Sequence, residues 1–246
     1  MLSKDELVRY DRQLRIFGSE RQERLKSSSV LLVGVGGLCS IISLYLVAAG
    51  IGKLVLVDEG VVELSNLNRQ VLYTMDDIGR YKVEVAKEKL SRLNPNVEIE
   101  IHPEKLTPEL ADKLVKKADL VVDGLDNWDA RYILNKACVE HKKIFIHAGV
   151  HGLYGQLLVV SPGKGPCLAC VFKKKPSVEE VIPILGPTPG VMASLEATEA
   201  IKIITGYGTP LIGKLLLYDG YRMEFNIVKV ARDPKCPICS KLENLK

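Results

Sequence analysis

A chain of 246 residues, 47% of them hydrophobic, can bury a full core, as one large α/β domain or a domain with an appendage. Its formal charge of +4 is mild and spread along the chain, leaving no electrostatic footprint for nucleic acid. No apolar run reaches membrane-spanning length, and the opening MLSKDELVRYDRQ lacks an apolar signal core, so a cytoplasmic protein with no membrane or nucleic-acid partner is expected.

In chain order, Leu7, Tyr10, Leu14 and Phe17 recur at helical spacing and predict one helix over 4–17, stopped by Gly18. Arg9, Arg12 and Arg15 lie three apart near one face, which on periodicity alone reads as a solvated basic stripe. Ser19 and Gln22 fit a capping box opening a second helix. Val30–Val33 then has the length and composition of a buried strand. A glycine turn, Gly34-Val35-Gly36-Gly37, leads into an apolar helix, Leu38–Ala49, stopped by Gly50. The next strand, Lys53–Val57, ends in Asp58, 24 residues after the first glycine. This is the pattern of a nucleotide site. Glycines let backbone approach a phosphate, a helix N-terminus favours its charge, and the acid accepts from ribose hydroxyls. Two features depart from the dinucleotide fingerprint: Cys39 stands at the third glycine position, and Asp58 leads into a polar loop, Ser65-Asn66-Leu67-Asn68-Arg69-Gln70. Asn and Arg beside a phosphate-binding turn suit a triphosphate better than a nicotinamide.

Further along, a helix is expected over Gly79–Leu93, with Lys82 in its first turn, where a cation is unfavourable unless an anion is near. By itself Lys82 reads as a surface lysine. A strand at Val97–Ile101, a helix at Pro108–Lys117 and a strand at Leu120–Val122 follow. That strand runs into Asp123-Gly124-Leu125-Asp126-Asn127 and a helix to about His141. Asp126 reads either as an N-cap-type residue or as a Mg²⁺ ligand beside nucleotide phosphates. After a strand at Ile144–His147, with His147 and His151 flanking Gly149 and both read as structural, the alternation turns mostly to β. The strands are Gly155–Val160, Lys214–Tyr218 and Met223–Val230, with a helix at Val191–Gly206 and a hairpin at Asp219-Gly220. The expected fold is α/β. Its Rossmann-like doubly wound sheet is mostly parallel in the N-terminal part and continued by antiparallel strands.

Cys167-x-x-Cys170 and Cys236-x-x-Cys239 form two knuckles 65 residues apart. Together they supply four thiolates for a closed tetrahedral zinc site. Four cysteine ligands leave no position for water, so the zinc is expected to be structural. Neither pair opens a helix as a thioredoxin-type redox motif would. Cys39 and Cys138, in apolar helices, read as packing residues.

These residues together resemble the ubiquitin-activating-enzyme-like superfamily, in its MoeB/ThiF branch of adenylyltransferases. The resemblance rests on Arg9-Tyr10-Asp11-Arg12-Gln13, Gly34-x-Gly36-Gly37, Asp58, Ser65-Asn66-Leu67-x-Arg69-Gln70, Lys82, Asp123-x-x-Asp126-Asn127, Glu199-Ala200-Ile201-Lys202 and the paired CxxC knuckles. It covers nearly the whole chain and implies a single adenylation domain, residues 1–246. Within it 1–29 are N-terminal helices, 30–150 the nucleotide-binding part, and 151–246 strands, a long helix and knuckles. It implies ATP-dependent adenylylation of the C-terminal glycine carboxylate of a ubiquitin-fold sulfur carrier, MoaD/ThiS-like and ending in Gly-Gly. Asp58 would hold the ribose. Asn66, Arg69 and Lys82 would hold the phosphates, with Ser65, Gln70 and Asn127 beside them. Asp126 would bind Mg²⁺, and Arg12 would reach the partner subunit's triphosphate in a homodimer. The basic stripe and Lys82 thereby gain a role that periodicity did not give them.

Two departures from the branch stand out. Many members carry a second acid where this chain has Gly60, which leaves Asp126 more of the metal's charge balance. Val171–Gly190 contains no cysteine, so no covalent carrier–enzyme intermediate is expected. Lys173–Lys175 in that segment reads as a solvated loop. No appended sulfurtransferase domain is expected. Three other readings remain at the level of sequence: an NAD-dependent oxidoreductase, a non-catalytic carrier-binding subunit, and a relative acting on a tRNA-linked carboxylate.

Overall fold

The structure is a computed structural model that describes residues 1–173 and 182–240. Two N-terminal helices, α1 (Lys4–Arg9) and α2 (Asp11–Lys26), precede strand β1 (Ser29–Val33). Helix α3 (Cys39–Ala49), β2 (Lys53–Val57), α4 (Lys82–Leu93), β3 (Glu98–His102), α5 (Pro108–Lys117), β4 (Leu120–Asp123) and α6 (Trp128–Glu140) follow. Then come β5 (Ile144–His151), β6 (Tyr154–Val160), a short α7 (Leu168–Val171), α8 (Pro187–Thr205), β7 (Lys214–Asp219) and β8 (Glu224–Lys229).

The eight strands form one sheet in the order β3-β2-β1-β4-β5-β6-β7-β8. The pairs from β3 to β5 are parallel, and those from β5 to β8 antiparallel. The expected change from parallel to antiparallel is present. Alternation along β1 explains its unbroken apolar run. Val30 and Leu32 pack on one face with α2, α3, α4 and α8, while Leu31 and Val33 pack on the other with α5 and α6. A strand covered on both faces needs apolar residues throughout. The chain leaves β1 toward β2 and β3, then returns to the far side of β1 to form β4. The carboxyl ends of β1 and β4 therefore define a topological switch point, where open sheets bind ligands.

The N-terminal helix differs from its expected form. The chain breaks at Tyr10, which is buried and lodged against the end of α3. A Cβ on Gly50 would lie 2.3 Å from the Tyr10 hydroxyl, which accepts from Asn94 Nδ2 at 2.9 Å. The stop expected at Gly18 is present as a break within α2. Gly18 leaves helical geometry (φ 78, ψ 170), and the expected second helix runs on from that kink to Lys26. Gln22 serves no capping box. It is buried, accepts from Gln13 Nε2, and donates to Ala49 O at 2.8 Å, tying α2 to the end of α3. Helix α4 begins at Lys82 rather than Gly79, because Gly79 has φ +87. Among the described residues no helix is long and apolar enough to cross a membrane.

Candidate functional site

The glycine turn leaves β1 with Gly34 at φ +83, a left-handed conformation. A Cβ there would sit 2.8 Å from Gly124 O, so the turn after β1 is pressed onto the turn after β4. Gly124 in turn abuts Cys39, whose Sγ would lie 2.5 Å from a Cβ at 124. Cys39 is fully buried and fills the space under this crossing, the packing role expected of it. Gly36 and Gly37 differ in kind. Added Cβ atoms would meet neighbours only at 3.7 Å and 3.4 Å, so internal packing does not demand glycine there. Bare backbone at both positions instead leaves room for a ligand's approach. Helix α3 starts just beyond, with no side-chain cap and no acid in its first turn, which suits a phosphate.

Asp58, at the end of β2, braces this turn. It accepts from Val35 N at 2.6 Å and from Gly60 N at 2.7 Å. From the other side, Tyr73 donates to Val35 O at 2.8 Å. Lys82 is half-buried at the first position of α4 and forms no ion pair among the described residues. A Cβ on Gly60 would lie 3.5 Å from Lys82 Nζ, so an acid at 60 would stand beside this lysine. Glycine leaves the ammonium beside the cleft with no carboxylate at ion-pair distance among the described residues.

The polar loop divides. Asn66 is buried, and its Oδ1 accepts from Glu63 N at 3.1 Å within a 3₁₀ turn. Ser65 is exposed and donates to Glu63. Arg69 folds over the loop to Ser65 O (2.9 Å) and Asn68 Oδ1 (3.0 Å), and it reaches the cleft. Gln70 is buried beside Gly36, and its Oε1 has no partner among the described residues. An unpaired buried acceptor on a side chain of the cleft wall suits a ligand donor. Beyond β4, Asp123 is fully buried, while Asp126 and Asn127 are exposed on the cleft. The N-cap of α6 is Asn127, whose Oδ1 accepts from Ala130 N at 2.8 Å, so the capping alternative for Asp126 falls to its neighbour. The Asp126 carboxylate meets only Asn127 Nδ2, at 3.5 Å, and forms no ion pair among the described residues.

Of the nucleotide-site residues expected from the sequence, all except Ser65, Asn66 and Arg12 line one cleft of about 1450 Å³. That exceeds the several hundred Å³ of a typical small-ligand site and leaves room for a second reactant beside a nucleotide. The cleft runs on past Asp126 along the antiparallel strands, past Tyr154, Gln156, Tyr218 and Asn226. These four carry no sequence signal, because ligand-facing strand residues look like any alternating pattern. Arg12 lies outside the cleft, exposed on α2, and Arg15 pairs with Asp11 at 3.0 Å.

Beneath the cleft is a buried polar cluster. Asp123 accepts from His147 Nδ1 at 2.6 Å and lies 3.6 Å from Arg131 Nε. Burial holds His147 below its usual pKa against the raising effect of Asp123, so it is a neutral donor. On α8, Glu196 is fully buried, and neither oxygen has a hydrogen-bonding partner among the described residues. Burial first, and then the Asp123 charge, push its pKa well above the usual carboxylate range.

The four knuckle cysteines converge on the opposite face of the sheet. Their sulfurs all lie within 4.8 Å of one another, with Cys167–Cys170 at 3.8 Å, Cys167–Cys236 at 3.6 Å and Cys170–Cys239 at 3.3 Å. Tetrahedral zinc with Zn–S bonds of about 2.3 Å requires sulfurs about 3.8 Å apart. All four thiols are buried and unlinked, and the cluster could hold a metal ion. Burial pushes Cys170 up to about 11 and raises Cys167 as well. Burial also opposes ionisation of Cys236, yet the N–H groups of Cys239 and Ile238 bring its pKa below the usual value. Lys173 pairs with Asp233 at 2.7 Å, beside the second knuckle; Lys174 and Lys175 lie outside the described residues.

A family model described as ThiF family matches residues 10–238. The chain belongs to the ThiF family. It is 43% identical over 249 residues to the sulfur carrier protein adenylyltransferase of Thermus thermophilus, covering 96% of this chain and 92% of that one. It is equally 43% identical over 241 residues to Protein HesA, heterocyst, of Trichormus variabilis, covering 97% and 90%. A crystal structure of E. coli MccB with ATP superimposes with a TM-score of 0.84 at 28% identity, covering 94% of this chain and 74% of that one. The ThiF chain is thus a MoeB/ThiF-type adenylyltransferase, and the oxidoreductase reading that the glycine turn alone allowed falls away.

Proposed function

We propose that this enzyme adenylylates the C-terminal glycine carboxylate of a ubiquitin-fold sulfur carrier protein at the expense of ATP. The observation that carries the reading is the shape of the cleft. Its glycine-lined end suits a nucleotide, and its extension along β6, β7 and β8 suits an extended peptide tail. The edge strand β8 exposes Val228 on the same face as the cleft-lining Asn226, and Phe225 and Ile227 on the other face, so the sheet edge beside that extension offers apolar contacts to the body of a carrier. The name of the Thermus relative points the same way.

In this reading Gly36 and Gly37 admit the triphosphate, and Asp58 accepts from the ribose. Arg69 and Lys82 neutralise phosphate charge, with Gln70 and Asn127 at the cleft wall. Ser65 and Asn66 act through the fold of their loop. Asp126 holds Mg²⁺, which would screen the phosphates and the leaving pyrophosphate. Arg12 acts on the partner subunit's nucleotide in a homodimer. The carrier carboxylate is already ionised near neutral pH, so no general base is needed. A carboxylate oxygen bonds to the α-phosphorus, and the bond from the α-phosphorus to the bridging oxygen of the β-phosphate breaks. Acyl-adenylate and pyrophosphate result. Catalysis consists of positioning and charge neutralisation. No enzyme thioester forms. The knuckle cysteines hold structural zinc, and residues 1–246 act as one cytoplasmic adenylation domain.

The test is carrier-dependent ATP–pyrophosphate exchange. Asp126→Ala is expected to lower the exchange rate by about 100-fold or more, as removal of a main charge stabiliser does. No exchange with any ubiquitin-fold carrier ending in Gly-Gly, or full activity in Asp126→Ala, would refute the reading.

A further inference from the structure

Asp126 must be held in place, yet its own side chain touches only Asn127. Its position comes from the backbone of the turn between β4 and α6, and that turn is gripped from below. Asp123 Oδ1 accepts from Leu125 N at 2.7 Å. Arg131 Nη2 donates to Leu125 O, clamping the same peptide unit's neighbour from α6. Asp123 Oδ2 is fixed in turn by His147 Nδ1 from β5. The His147 ring cannot turn freely, because Trp128, Phe172 and Phe145 stand around it at centroid distances of 6.0, 6.0 and 6.3 Å. Arg131 also lies over the Trp128 ring at 5.1 Å, at the first position of α6. The upper side of the turn is closed by Gly34 and Cys39 pressing on Gly124.

We propose that Arg131 and His147 are positioning residues of the adenylation site, acting through Asp123 to fix the 123–127 turn so that Asp126 presents its carboxylate to the metal on the nucleotide. The proposal rests on the reading of Asp126 as the Mg²⁺ ligand. Both side chains are buried; His147 does not line the cleft, and Arg131, where it meets the cleft wall, spends its guanidinium on Leu125 O, Asp123 and the Trp128 ring, so both act through the turn. His147, kept neutral by burial, adds no charge to the cluster, while Arg131 balances Asp123. Removing the His147 donor leaves one carboxylate oxygen of Asp123 unpaired in the core, free to draw Arg131 away from Leu125. Outer partners that orient a metal ligand typically govern metal affinity by 10–100-fold. The geometry therefore separates two quantities. Loosening the turn weakens response to Mg²⁺ and leaves the ribose and glycine contacts to ATP in place.

Trp128 is the one tryptophan of the chain and lines the cleft, so its emission reports on this turn directly. The experiment titrates Mg²⁺ into full-length protein with ATP and no carrier, following Trp128 fluorescence, and repeats the titration by pyrophosphate exchange with carrier. His147→Phe keeps an aromatic ring and loses the donor. His147→Asn restores an N–H near the Nδ1 position. Arg131→Lys keeps the charge and loses the fork. His147→Phe and Arg131→Lys are expected to raise half-saturating Mg²⁺ about tenfold or more in both readouts. Half-saturating ATP at saturating Mg²⁺ should change less than about threefold, and His147→Asn should stay within about threefold of the parent. Two results overturn the positioning role alone: unshifted Mg²⁺ dependence in His147→Phe and Arg131→Lys while Asp126→Ala loses it, or His147→Asn behaving as His147→Phe. A parent whose fluorescence ignores Mg²⁺ and ATP, or an Asp126→Ala variant with parental Mg²⁺ dependence, overturns the reading of Asp126 and the positioning role with it.

Discussion

Replacing Gly124 by alanine tests whether the two turns at the switch point are locked together. Its φ lies outside the left-handed region, so alanine meets no backbone strain there. The alanine would even remove unfolded-state entropy worth about 0.4–1 kcal/mol. Against that, the new methyl lands 2.5 Å from Cys39 Sγ, 2.8 Å from Gly34 O and 3.1 Å from Cys39 Cβ. The closest contact is nearly an ångström inside ordinary van der Waals distance, and Gly34 O is backbone that cannot rotate aside. Overpacking of this kind costs about 1–3 kcal/mol; the backbone contact puts this site at the upper end, so after the entropy gain the net loss is expected to be about 2 kcal/mol. In a chain of this length that lowers the melting temperature by roughly 4–8 °C. Cys39→Ala removes the sulfur but not Gly34 O. In that background the Gly124→Ala cost should fall by about 1 kcal/mol without vanishing, a coupling well above the 0.3–0.5 kcal/mol scatter of independent sites. Denaturant unfolding of the four proteins in this cycle measures it. A Gly124→Ala protein within about 0.5 kcal/mol of the parent, or strict additivity with Cys39→Ala, would refute the packing argument.

Burial keeps Glu196 protonated in the folded state, whereas the unfolded chain ionises it above its ordinary value of 4.5. The folded state therefore holds one more proton from about pH 4.5 upward, and Glu196 costs stability as the pH rises through that window. Glu196→Gln removes this titration, so its stability advantage over the parent should grow as the pH rises above about 4.5, by up to about 1.4 kcal/mol per pH unit; a flat difference would refute it. The cysteine cluster should carry about one zinc per chain by metal analysis, and Cys170→Ser should lose the metal and lower the melting temperature, whereas purified protein with much less than one zinc would speak against the site. If Arg12 acts across a homodimer, mixing Arg12→Ala and Asp126→Ala subunits, each inactive alone, should restore about a quarter of parental activity through mixed dimers with one intact site. Absence of complementation after subunit exchange would refute action of Arg12 across the dimer.

Much of the molecule was legible because its signals are local or carried by spacing. The apolar run of Val30–Val33, the glycine turn and the stop at Gly50 each follow from strand burial, backbone freedom and helix capping within a few residues. The paired CxxC knuckles announced a four-thiol cluster although 65 residues separate them, since each pair already has ligand spacing. What stayed hidden depends on which elements meet. Nothing near Tyr10 foretells that its ring lodges beneath Gly50, and that contact breaks the first helix. Gln22 has the spacing of a capping residue, yet it is taken by Ala49 O on another helix.

The sequence by itself determined the nucleotide-type turn, the change from parallel to antiparallel sheet and the four thiols, because periodicity and motif spacing encode them. The resemblance singled out Asp126, but only the tertiary structure gave the physical ground that separates it from Asp123, three residues away. One faces the cleft, and the other is spent on Leu125, His147 and Arg131 in the core. The physical reason is that burial and partnership decide what a carboxylate can do, and both are set by residues from other strands and helices that only folding brings within reach.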